Sequence, residues 1–173
     1  MAKKVLVITT DTLTPGIKKY FERAGLDMPN NKEVAFFKAR QAVALQLLNF
    51  TVNGSANEKV VPPIRWGILR GSGSAFVDST LVGDTKSSSP DGTPSREYKC
   101  PKNGAAIGFN TAYAARMHES KWVPGGVVPS KQAASNPSML ADVGNKFVEK
   151  HLKADREVLL GLFADIYKKE TGA

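Results

Sequence analysis

The most regular pattern of apolar and polar positions lies at the C-terminal end of the chain. Between Gly144 and Gly172, the residues Phe147, Val148, His151, Leu152, Val158, Leu159, Leu162, Phe163, Ile166 and Tyr167 recur mostly in adjacent pairs. Their repeat of about 3.6 residues predicts one helix of about six turns with a broad buried stripe. Lys168 and Lys169 suit the negative end of its dipole. A second stripe runs through "NNKEVAFFKARQAVALQLLNFTV". There Val34, Phe37, Gln41, Leu45, Leu48 and Val52 fall near one face, with Ala35, Ala39 and Ala42 beside it. A long helix is predicted, with Asn30 or Asn31 as its cap and "NGS" as its end.

The strand signals are shorter. "KVLVITT", residues 4–10, is β-branched and reads as a short strand or an extended N-terminal arm. "GIKKYFERAG", entered through Thr14 and Pro15, reads as a short helix closed by Gly25. From Gly67, "GILRGSGSAFVD" predicts a strand with Leu69, Phe76 and Val77 as its apolar members, and "NGAAIGFN" predicts another. "TAYAARMHES" follows as a helical turn or short helix. Two stretches rich in Pro, Ser and Gly, 78–101 and 119–143, read as long loops, the first a hairpin excursion. No repeat or shift in composition divides the chain. The expectation is a single α+β domain, residues 1–173, with an N-terminal arm over 1–14. Its antiparallel sheet packs against the long C-terminal helix and the second long helix, with extended loops.

Composition narrows the classes. A chain of 173 residues, 42% hydrophobic and 23% charged, can bury a core of its own and is not of disordered type. A lone cysteine, Cys100, excludes an intramolecular disulfide and a cysteine-based metal site, and favours a reducing compartment. No apolar run approaches the roughly 20 residues of a membrane span, and the first residues do not match a secretory leader. The expected location during synthesis is therefore the cytoplasm. The net charge of +8 raises the prospect of an anionic partner, nucleic acid included. Its lysines and arginines are scattered, however, and no aromatic residues interleave them as base-stacking platforms. Solvated helix faces account for most of them.

"GSGS" at 71–74 looks like a phosphate-cradling loop, but no lysine follows it, no third glycine opens a helix and "VPPIRW" precedes it. Neither Ser72 nor Ser74 sits in Gly-x-Ser-x-Gly. His118 and His151 are the only histidines. His118-Glu119 lacks the second histidine of a zinc-protease helix, and His151 lies on the apolar stripe as a packing residue. Asp78, Asp84 and Asp91 lack the spacing of a calcium loop. Lys99 beside Cys100 could activate the thiol, but a structural thiol is the simpler reading. No catalytic, cofactor or metal constellation emerges, so an enzyme is not expected. Arg65, Trp66, Arg70, Tyr113, Arg116 and Trp122 remain, residue types that carry disproportionate energy at protein interfaces.

Three pieces of sequence carry a resemblance. Pro63, Gly67, Leu69, Arg70 and Ser72 match P-x-x-x-G-x-L-R-x-S at the entry to a strand. "GFNTAYAARMHE", through Tyr113, Ala114, His118 and Glu119, is similar to Y-A-x-x-x-H/E-x-G after the next strand. "NKFVEKHL", through Lys146, Phe147 and Val148, resembles the K-F-L-x-x-A start of a closing helix. In that order, over residues 31–170, they resemble a family of tailed-bacteriophage neck proteins, called head–tail joining, minor capsid or tail-completion proteins. Trp66 stands where the family has a small hydroxyl residue, no glycine closely follows Glu119, and the N-terminal arm is not a family feature. The resemblance implies a structural virion protein at the head–tail junction. It would form a six- or twelve-fold ring, with portal or adaptor and tail proteins as partners and non-specific contact with packaged DNA. The alternatives are a tail-terminator or decoration protein of the same virion, and a basic nucleic-acid-binding module.

Overall fold

A computed structural model of the chain describes residues 8–9, 33–62, 68–85, 93–100, 103–119 and 146–172. The elements are β1 (Ile8–Thr9), α1 (Glu33–Asn53), a 3₁₀ turn (Arg70–Ser72), β2 (Gly73–Val77), β3 (Thr80–Asp84), β4 (Ala105–Phe109), α2 (Ala114–Glu119), α3 (Phe147–Ala154) and α4 (Arg156–Thr171). The strands form one antiparallel sheet in the order β1-β4-β2-β3, and the helices complete an α+β domain.

Residues 80–84 form β3 inside the segment expected to be a long loop. Asp78 and Ser79 explain why the chain turns back so soon. Both hold positive φ, 49° and 67°, the backbone of a two-residue hairpin turn that matches strand twist. The strand expected from Gly67 begins only at Gly73. Ser72 Oγ and the Ser72 N–H both donate to the Leu69 carbonyl, at 2.8 and 3.2 Å, and this closes a turn before the ladder starts.

Alternation along β2 and β4 divides two buried faces. Ala75, Val77, Ala105, Ile107 and Phe109 join the main core with α1 and α4. Phe76, on the opposite face, meets the ring of Tyr98 at 5.8 Å, and Ser74 Oγ donates to the Ser95 carbonyl at 2.9 Å. Residues 93–100 thus cover the face that the helices leave open. This is why all five positions of β2 and of β4 are buried.

Helix α1 lies between the sheet and α4, so it needs two adjacent apolar faces. Ala35, Ala39, Arg40, Val43, Ala44, Leu47, Leu48 and Thr51 are buried. The single face expected through Val34, Phe37, Gln41, Leu45, Leu48 and Val52 is corrected accordingly: of these only Leu48 is buried, while Val34 is 69% exposed and Leu45 36%. Toward α4, Phe36 meets Phe163 and Tyr167 edge-on at 5.6 and 4.9 Å. Toward the sheet, the helix approaches so closely that a Cβ on Gly83 would stand 2.3 Å from Leu45 Cδ2. One on Gly73 would stand 2.8 Å from Leu48 Cδ1. The helix ends as expected at "NGS", with Gly54 at φ +81° returning its N–H to the Phe50 carbonyl at 2.8 Å.

The C-terminal helix is jointed rather than continuous. Asp155, at φ −99° and ψ 11°, separates α3 from α4, while the 2.9 Å bonds Asp155 N to His151 O and Leu159 N to Asp155 O carry hydrogen bonding across. Beyond the joint the buried pairs are Leu159–Leu160 and Phe163–Ala164, followed by Tyr167. Val158, expected in the stripe, is 48% exposed.

Candidate assembly site at one end of the sheet

The sequence pieces that carry the resemblance are far apart in the chain and come together in space. The start of β2 pairs with the end of β4, Gly73 opposite Phe109, and Asn110 N donates to Ser72 O at 3.1 Å. Phe109 meets Phe147 edge-on at 5.6 Å, and Phe147 meets the His118 ring at 4.9 Å. Backbone closes the circuit where Lys146 N donates to His118 O at 2.8 Å. Leu69, Ser72, Ala114, His118, Phe147 and Val148 are all buried around this junction. Their role is architectural: they join the strand entry, the short helix and the start of α3.

Charged groups finish the junction on its outer side. His118 Nδ1 lies 2.8 Å from Glu119 Oε1, and Lys146 Nζ is ion-paired with Glu119 Oε2. Glu149 then bridges Lys146 at 3.6 Å and Lys153 at 2.8 Å. Burial pushes the His118 imidazole below its ordinary value, against the opposing pull of Glu119. The Lys146 hydrogen bond holds the Glu119 carboxyl below the usual range, and Glu119 in turn raises Lys146. With Nδ1 turned to the carboxylate, His118 Nε2 is buried and has no hydrogen-bond partner among the described residues.

Three interface candidates lie at this same end. Tyr113 and Arg116 are exposed on the turn into α2 and on α2 itself. Arg70 is half-buried in the 3₁₀ turn, where its Nε donates to the Pro62 carbonyl at 2.9 Å. Burial lowers its guanidinium to about 10, and no carboxylate pairs with it among the described residues. A 3₁₀ turn, rather than the strand expected from Gly67, carries Arg70 at the sheet's end. Arg65, Trp66 and Trp122, with Pro63 and Gly67 of the first motif, lie outside the described residues.

A second polar cluster was not anticipated. His151 Nδ1 lies 2.9 Å from Asp155 Oδ2 and Nε2 lies 2.8 Å from the Val60 carbonyl. Ser55 Oγ and Asn57 Nδ2 donate to Asp155 Oδ1 at 2.8 and 3.0 Å. These are the residue types of a hydrolytic triad, wired differently. Ser55 donates to the aspartate rather than to the histidine, and Val60 occupies the nitrogen a general base would use. Ser55, His151 and Asp155 are buried. The cluster fastens the segment after α1 to the α3–α4 joint. Its signal in the sequence is the i, i+4 spacing of His151 and Asp155 on a helix.

Arg40 supplies the other unexpected polar contact. Buried in α1, it donates to Asp78 Oδ1 at 2.8 Å and so holds the β2–β3 turn. Among the described residues no three His, Cys, Asp or Glu side chains form a metal-ligating group, and no helix is long and apolar enough to cross a membrane. No protein-family model, curated protein or solved structure matches the chain.

Proposed function

We propose that the chain is a structural subunit of a tailed-bacteriophage neck, one copy of a cyclic ring that joins the DNA-filled head to the tail. The observation that carries this reading is the convergence of the three motif pieces on Phe109 and Phe147. Residues whose order resembles that family form one packed junction rather than three unrelated surface features. Tyr113, Arg116 and Arg70 sit at the edge of that junction, where head-to-tail contacts that close on rotation would generate a ring. Portal or adaptor and tail proteins are the partners this role requires.

The test is genetic and visual. A phage in which this gene is interrupted is expected to accumulate DNA-filled heads and separate tails, and supply of the intact chain restores joined particles. Joined, infectious particles in the absence of the chain overturn the reading. Tyr113→Ala with Arg116→Glu, both at exposed positions, is expected to leave the fold intact and to fail to restore joining.

A further inference from the structure

The N-terminal arm contributes one described element to the sheet. Its described part is β1, two residues long, at the outer edge of β4, with Ile8 opposite Ile107 and Thr9 opposite Ala106. Beneath it β4 is buried at all five positions, and β2 occupies its other edge completely. The sheet therefore presents a fully supported strand whose remaining free edge is capped by a remote segment. An uncapped edge of this kind is a row of unpaired N–H and C=O groups that accepts any suitable strand.

The segment that caps it is built for transfer. "KVLVITT" is β-branched, and between Thr9 and Glu33 the chain runs through 23 residues, 10–32. With the helix expected over residues 16–25 at about 1.5 Å per residue and the other 13 residues extended at about 3.3 Å, those residues can reach up to roughly 58 Å. A domain of this length is only about 40 Å across, from its expected radius of gyration. The capping strand of one copy can therefore reach the β4 edge of the next. The β1–β4 ladder itself is the same whether the strand comes from its own chain or from a neighbour. Neighbours already held in a ring supply the local concentration that favours exchange.

We infer that β1 is an exchangeable strand: in the assembled state residues 8–9 of one copy cap β4 of a second copy. This rests on the ring reading and names the contact that interlocks its subunits. Strand addition to a sheet edge takes its affinity from main-chain hydrogen bonds, so it suits a segment whose sequence is merely β-branched.

The experiment uses the full chain with Cys100→Ser, so that only introduced thiols react. An isotopically light Ile8→Cys chain and a heavy Ile107→Cys chain are mixed, assembled with the head and tail partners, and oxidised. Each chain carries one thiol, so a linked 8–107 peptide of mixed mass arises only between copies. The expected result is that this mixed link is the main product of the assembly and falls at least tenfold in the unassembled chain. Thr9→Cys with Ala106→Cys is the second pair, should Ile107→Cys fold poorly. An assembly that forms normally but gives no mixed link, while the double variant Ile8→Cys/Ile107→Cys links within one chain, overturns the exchange and leaves the ring standing. Failure of the unsubstituted chain to assemble overturns the ring, and the exchange with it.

Discussion

Asp155 and His151 face each other one helical turn apart, Oδ2 to Nδ1 at 2.9 Å, where α3 gives way to α4. The second oxygen of the same carboxylate receives Ser55 and Asn57 from the segment after α1. One buried side chain therefore holds the end of the first long helix against the joint of the last.

Removing that acceptor unpairs the buried Ser55 and His151 side chains together with Asn57. Asp155→Ala is expected to cost about 3 kcal/mol or more in urea unfolding, since each buried polar group left without a partner costs about 1–3 kcal/mol. Ser55→Ala removes one donor and is expected to cost about 1 kcal/mol. Equal losses for the two variants contradict the view that the carboxylate organises the joint.

Gly73 and Gly83 set how closely α1 approaches the sheet. At Gly73 an added Cβ meets Leu48, Thr85 and Phe109 at 2.8, 3.1 and 3.2 Å, so no single neighbour can yield alone. Gly73→Ala is expected to destabilise by about 1–3 kcal/mol, as overpacking does. At Gly83 the obstacle is the tip of a half-exposed leucine. Gly83→Ala should cost less, and Leu45→Ala should remove most of that cost, a coupling a double-mutant cycle reads directly.

His118 makes stability depend on pH on the acid side. Burial lowers its proton affinity in the folded state below the ordinary value of 6.5, while Glu119, Lys146 and Glu149 act on it from the junction's outer side. Its contribution is therefore present above about pH 6.5 and lost as pH falls through the lowered folded value. Between pH 7.5 and 5.5 the protein should lose more stability than His118→Phe, by at most about 1.4 kcal/mol per pH unit. The window avoids Glu119, whose folded value lies below the ordinary 4.5 and whose contribution is lost only at lower pH. Parallel curves for the two proteins refute the assignment.

Cys100 should be a slow nucleophile. Burial raises its thiol above the ordinary value, reinforced by Asp78, while Arg40 and the hydrogen bonds involving Asp78 and Ser79 only partly offset this. Its rate of reaction with an aromatic disulfide at pH 7.5 is expected to fall below that of a free cysteine peptide and to rise toward it on unfolding. A faster rate in the folded protein would instead indicate activation by Lys99.

Much of this architecture is legible in periodicity. The two long helices, the strands at "SAFV" and "AAIGF", the short helix from Ala114 and the end of α1 at Gly54 follow from spacing and turn chemistry. What spacing misses has physical causes. Helix α1 packs on two sides, so its apolar residues define no single face, and Val34 is exposed where one stripe would bury it. The joint at Asp155 depends on Ser55 and Asn57, about one hundred residues earlier, and no local pattern encodes that. Strand β3 is short and half-exposed, set in a polar stretch, and its turn depends on two non-glycine residues at positive φ. The motif junction is the intermediate case. Its residues can be picked out in the chain, but their meeting at Phe109 and Phe147 is a property of the fold.

Copy number decides whether the proposed ring forms. Native mass spectrometry of the full chain, alone and with the portal protein of the same phage, counts the subunits that assemble. A closed species of six or twelve copies is expected, at least once the portal is present. A strict monomer under both conditions contradicts the ring.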